Sequence, residues 1–350
     1  MRLRTLIAAG IVLLLIVLAA GCSRNPEVRK KKYLESGQEY MQKGKYQEAQ
    51  LQFRNALKLD GRYAEAYFQF AKSSIALQQW QPAFKALQNV VSLEPDRVDA
   101  RLMLAQLFMA AKDLRGAQEQ AEAILEKQPQ QPEAQQLLGS IFLARKEFKN
   151  AEGAFTKLIE IAPDNAFAYI DLALVDTATG RRDAAGQHLR RAIAVDPKLV
   201  AAYSGLAVLY GIDNQPLQAV QVLQEGIQAN PDAEALYLAL ASVQYLQGNK
   251  DDAASSLQAL RAKKGDSAAL AKTIGDFYAQ RNDLNPAVNE YQHGLSLDAK
   301  NSGLRNNLVE IYSQLGRMSE AESANAEALK LSPQDATAHL QRARIWLAQK

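Results

Sequence analysis

From residue 30 onward, apolar side chains recur at the three- and four-residue spacing of amphipathic helices, and the pattern restarts at a fixed interval. In residues 132–163, PEAQQLLGSIFLARKEFKNAEGAFTKLIEIAP, Leu138 and Gly139 precede Phe142, then Ala151, Phe155 and Pro163. The interval is 34 residues. Stepping by it from Ala151 meets alanine every time, at Ala49, Ala83, Ala117, Ala185, Ala219, Ala253, Ala287 and Ala321. The same stride from Gly139 meets Gly37, Ala71, Ala105, Ala173, Ala207, Ala241, Gly275, Val309 and Ala343. A third series runs Gly61, Pro95, Pro129, Pro163, Pro197, Pro231, Gly265, Ala299 and Pro333.

Each series has a physical reading. Small residues let two helix backbones cross closely, where added bulk would cost about 1–3 kcal/mol. Proline removes an amide donor and drives the preceding residue out of helical space, so a helix must stop before it. Gly44, Gly180, Gly248 and Gly316, with Asn214 and Asn282 in the same phase, suit a left-handed C-cap between two helices. Each repeat is therefore predicted to be helix A, tight turn, helix B, turn, starting at residues 30, 64, 98, 132, 166, 200, 234, 268, 302 and 336, the last incomplete. An array breaking off inside a repeat, with Trp346 where a following helix would cover it, is expected to continue into a longer protein or to end against a partner.

The period and the small, aromatic, alanine and proline positions resemble the tetratricopeptide repeat family. That resemblance implies an all-α right-handed solenoid of antiparallel helix pairs, with helix A lining an inner, concave surface. The inward positions carry Phe68 and Ile75 in the second repeat, Leu102 and Met109 in the third, and Leu143 in the fourth. Phe167, Ile170 and Leu174 follow in the fifth, Val208 and Ile212 in the sixth, and Leu238, Tyr245 and Leu246 in the seventh. Further on the equivalent residues are polar: Lys272, Asp276, Gln280, Asn306, Glu310 and Gln314. The resemblance implies a partner-binding groove for an extended protein segment or an amphipathic helix. The lysine and asparagine set that grips a C-terminal carboxylate in chaperone-type members is not matched, since Lys72, Asn306 and Arg344 lie in separate repeats. Nor is the asparagine ladder of glycosyltransferase-linked arrays, whose positions here run Gln69, Met103, Leu137, Asp171, Gly205, Ala239 and Thr273.

Residues 1–21 are of another kind. Arg2 and Arg4 precede TLIAAGIVLLLIVLAAG, an apolar run ending in small residues before Cys22, the only cysteine. This is similar to a bacterial lipoprotein signal, with Ala19 standing where leucine is usual; it implies cleavage, lipidation of Cys22 and a basic tether over residues 22–29. Ser23 after the cysteine implies sorting to the outer membrane on the periplasmic side, with inner-membrane anchoring as the alternative. If the run is instead kept, its length of about 17 residues is the short limit for a span. Arg24, Arg29, Lys30, Lys31 and Lys32 would then favour a cytoplasm-facing adaptor.

Charge narrows the function further. Without Arg2 and Arg4 the 41 basic residues become 39 against 38 acidic, too even a balance for nucleic-acid binding. His188, His293 and His339 have no metal-ligand spacing, and no phosphate loop occurs. We therefore expect no cofactor, no metal, no small-molecule substrate and no catalysis within these residues, with an enzymatic domain conceivable only beyond Lys350. The expected role is a lipid-anchored envelope scaffold, most similar to tetratricopeptide lipoproteins of exosortase and exopolysaccharide export systems.

Overall fold

The structure, a computed structural model, describes residues 25–348; Cys22 and the apolar run before it lie outside the described residues. All nineteen regular elements among them are α-helices. They form two units that divide after Ala185, inside one helix.

The first unit pairs α1 (Pro26–Gln42) with α2 (Tyr46–Leu59), α3 (Ala64–Ala76) with α4 (Trp80–Leu93), α5 (Val98–Ala110) with α6 (Leu114–Lys127), and α7 (Pro132–Ala144) with α8 (Phe148–Ile161), then adds α9 (Ala166–Ala178). The helix α10 (Arg182–Val195) contains the division. The second unit pairs α11 (Val200–Ile212) with α12 (Pro216–Ala229), α13 (Glu234–Leu246) with α14 (Lys250–Lys264), α15 (Ala268–Ala279) with α16 (Leu284–Leu297), and α17 (Ser302–Gln314) with α18 (Met318–Leu331), then adds α19 (Ala336–Ala348). Helix α1 begins four residues ahead of the repeat period, inside the stretch read as tether, because the Asn25 side chain caps it by accepting from the Glu27 amide and Pro26 fits the first helical turn. Helix A of one repeat also touches helix A of the next within each unit, as α5 does α7 and α11 does α13.

All nine period alanines from Ala49 to Ala321 are fully buried. The small residue of helix A, however, packs against the residue four places beyond that alanine. A Cβ on Gly37 would strike Phe53, on Gly139 would strike Phe155, and on Gly275 would strike Tyr291. Where helix A has Ala71 or Ala241, the same core holds the smaller Leu87 or Leu257. Size on one helix is thus traded against size on its partner, as close packing demands.

Every A-to-B turn closes the same way. Gly44 donates to the Met41 carbonyl and Lys45 to the Tyr40 carbonyl, the paired bonds of a Schellman cap. Gln78, Lys112 and Lys146 take this left-handed position as well, with φ of 56°, 60° and 60°, although only glycine and asparagine positions suggest it in sequence. The other turn carries a second tie. Arg101 Nε donates to the Pro95 carbonyl at 2.5 Å, and the hydroxyls of Tyr169, Tyr203 and Tyr237 donate to Pro163, Pro197 and Pro231 at 3.2, 3.1 and 3.1 Å. In the same register Arg305 Nη1 donates to Ala299 and His339 Nε2 to Pro333. The recurring donor fixes the start of helix A to the preceding turn.

Candidate interaction surface

In the first unit, the inward positions differ sharply in exposure. Phe68 is only 7 % exposed; it packs with Leu87, Val90 and Leu104, and the Arg97 guanidinium lies 4.2 Å from its ring centroid. Arg97 is held there by Glu65, Glu94 and Asp99 at 2.6, 3.0 and 2.9 Å. Phe68 therefore belongs to the core rather than to an open surface. Ile75, Leu102, Met109 and Leu143 are partly buried. On α9 the picture changes. Phe167 is 54 % and Leu174 50 % exposed, with Ile170 partly exposed between them.

Asp171 shares this face. Its carboxylate accepts from Gln136 Nε2 at 3.2 Å, and burial pushes its carboxyl above the ordinary carboxylate range.

In the second unit, Val208 and Ile212 on α11 are 63 % and 49 % exposed, and Leu246 at the end of α13 is 84 % exposed. Leu238 and Tyr245 are partly buried. The Tyr245 hydroxyl donates to Asp283 Oδ2 at 2.6 Å, and Lys250 sits 5.0 Å from its ring while pairing with the same carboxylate at 2.9 Å. Those two donors hold the Asp283 carboxyl below its usual range. Much of the polar end is paired: Lys272 with Asp276 at 2.6 Å, while Asn306 donates to Asp335 and Gln314 to Glu310. Asp276 also accepts from Tyr291 and Asn307, and burial followed by this carboxylate raises the Tyr291 hydroxyl.

Within the described residues, no group of three or more His, Cys, Asp or Glu is arranged to hold a metal ion, and no helix is long and apolar enough to cross a membrane. One feature has no distinctive sequence signal. Trp80, Phe84, Leu107 and Phe108 line a cavity of about 530 Å³ beside the turn of the third repeat, with the two phenylalanine rings edge to face at 5.0 Å. Trp80 opens helix B, where other repeats place Tyr46, Leu114 or Phe148, so its identity does not announce a cavity.

The sequence profile of the tetratricopeptide repeat matches residues 74–141, 142–210 and 212–275, and related profiles of the same repeat match residues 34–83 and 303–335. The chain belongs to the tetratricopeptide repeat family. A tetratricopeptide repeat protein from Parabacteroides merdae has the same fold, with a TM-score of 0.56 at 16 % identity over 69 % of this chain and 96 % of that one. PilF of Pseudomonas aeruginosa is similar at a TM-score of 0.47 and 16 % identity, over 64 % of this chain and 99 % of its own. MamA from Desulfovibrio magneticus reaches 0.46 and 18 %, over 49 % and 97 %. No curated protein matches the sequence. The tetratricopeptide repeat membership and the all-α solenoid fold support a protein-interaction scaffold.

Proposed function

We propose that this tetratricopeptide repeat chain is a non-catalytic scaffold of the bacterial cell envelope, tethered through a lipidated Cys22 to the outer membrane on its periplasmic side. There it holds a protein segment for envelope assembly or exopolysaccharide export. The carrying observation is the exposure of Phe167 and Leu174 on one helix A face, whereas Phe68 on another helix A is buried. Exposed apolar residues in a row are what a partner segment covers.

Crosslinking in envelope preparations tests the scaffold reading. Phe167→Glu with Leu174→Glu should abolish the crosslinked species seen with the natural chain while leaving helicity unchanged; an unchanged crosslinking pattern would count against it. Metabolic labelling with palmitate tests the anchor: label lost in Cys22→Ser supports lipidation. No label in the natural chain would point to the retained, cytoplasm-facing form that the basic residues after the apolar run favour.

A further inference from the structure

Arg281 follows helix α15 in the second unit, and among the described residues no acid pairs with it. The guanidinium carbon lies 3.7 Å from the Phe277 ring centroid, Nη1 donates to the Phe277 carbonyl at 2.7 Å, and Nη2 donates to Ser242 Oγ of α13 at 2.5 Å. These contacts hold the fork flat and fixed. None supplies negative charge. The acids nearest in sequence are committed elsewhere, Asp276 to Lys272, Tyr291 and Asn307, and Asp283 to Tyr245 and Lys250. Partial burial pushes the guanidinium below its ordinary value, whereas Arg97, Arg181 and Arg317 are all raised by carboxylates they touch.

Arg281 forms one wall of a concavity of about 270 Å³, together with Leu238, Ser242, Thr273 and Gln280. The two hydroxyls donate to their own helices, Ser242 to the Leu238 carbonyl and Thr273 to the Ala269 carbonyl. Of the hydrogen-bonding capacity left in this space, the Nε–H and second N–H groups of Arg281 can only donate, while the Gln280 amide can donate or accept and Thr273 Oγ1 keeps lone pairs that accept. A planar, pre-oriented guanidinium without a counter-ion is matched by a carboxylate, which it can bind through two parallel bonds. Asp276 borders the same space but is neutralised by Lys272 at 2.6 Å.

We propose that this concavity receives an aspartate or glutamate side chain of the bound protein segment, with Arg281 as the residue that selects it. The inference rests on the segment-binding reading above and adds the chemistry of the ligand at one place.

The test is a selection of random peptides, fused at their C-terminal end to a carrier so that only side-chain carboxylates are free, on the full chain. Expected are binders with an acidic residue at a fixed place, whose affinity falls roughly tenfold or more on Arg281→Gln, as loss of a charge-assisted bond implies, and less on Arg281→Lys. The glutamine variant should keep its helical circular dichroism. Binders without acidic preference, or equal affinity for Arg281→Gln, overturn the carboxylate site and leave segment binding standing. A selection that yields no binder at all removes both.

Discussion

Gly139 and Phe155 occupy one volume: a Cβ on Gly139 would stand 2.7 Å from Phe155 Cδ1 and closer still to Cε1. The ring is fully buried, as is the period alanine Ala151 one turn before it, so it has no free direction in which to retreat. Gly139→Ala should therefore destabilise the array by about 1–3 kcal/mol through overpacking. Adding Phe155→Leu should recover part of that loss, because Ala71 already shares a core with Leu87. Urea unfolding of the four-member mutant cycle would show a coupling on the order of 1 kcal/mol; additive effects would refute the size trade.

Phe68 and Phe167 offer a direct contrast, since they occupy inward positions of equivalent helices at 7 % and 54 % exposure. Phe68→Ala should cost about 3–5 kcal/mol as a core truncation. Phe167→Ala should cost less than about 1 kcal/mol. Denaturant midpoints for the two variants, measured side by side, check the assignment.

Lys112 is held at φ 60°, where a side chain is strained by about 1–2 kcal/mol and glycine is not. Lys112→Gly should raise stability by roughly 0.5–1 kcal/mol once the extra freedom of glycine in the unfolded chain is set against the relief. Gly44 and Gly180 already fill the equivalent turns. Thermal unfolding reads the sign, and a lowered midpoint would mean that the strain is absent.

Asp171 makes a pH prediction. Burial raises its folded pKa above the ordinary 3.8, so the folded chain prefers the protonated carboxyl. Its contribution to stability is complete below that ordinary value and is lost as pH rises through the folded pKa. Asp171→Asn, which can still accept from Gln136, should raise the melting temperature at pH 7 and change it little at pH 3. A variant that loses stability at pH 7 would contradict this.

How much of this was legible without coordinates follows from the range of the interactions involved. Repeat length, helix identity and the turns at Gly44, Gly180, Gly248 and Gly316 could be read from the chain, because proline, glycine and period alanines act through local sterics that each residue carries with it. The strained turns at Gln78, Lys112 and Lys146 share that phase, but their side chains give no sign of it, since there the helix pair on either side imposes the conformation.

The sequence by itself determined an array of paired helices and which small residues make their crossings possible. The tertiary structure decided which inward side chains are free. Phe68 and Phe167 are the same residue type on the same kind of helix, but Phe68 packs with Leu87, Val90 and Leu104 under the Arg97 guanidinium, itself held by three carboxylates, while Phe167, three positions earlier in its repeat, stays open. Likewise Arg281 looks in sequence like any turn arginine, and it is left without a counter-ion because Lys250, Tyr245 and Lys272 have already taken the nearby acids. Exposure and charge balance at a site are sums over neighbours brought together by folding, and no single stretch of chain holds all of them.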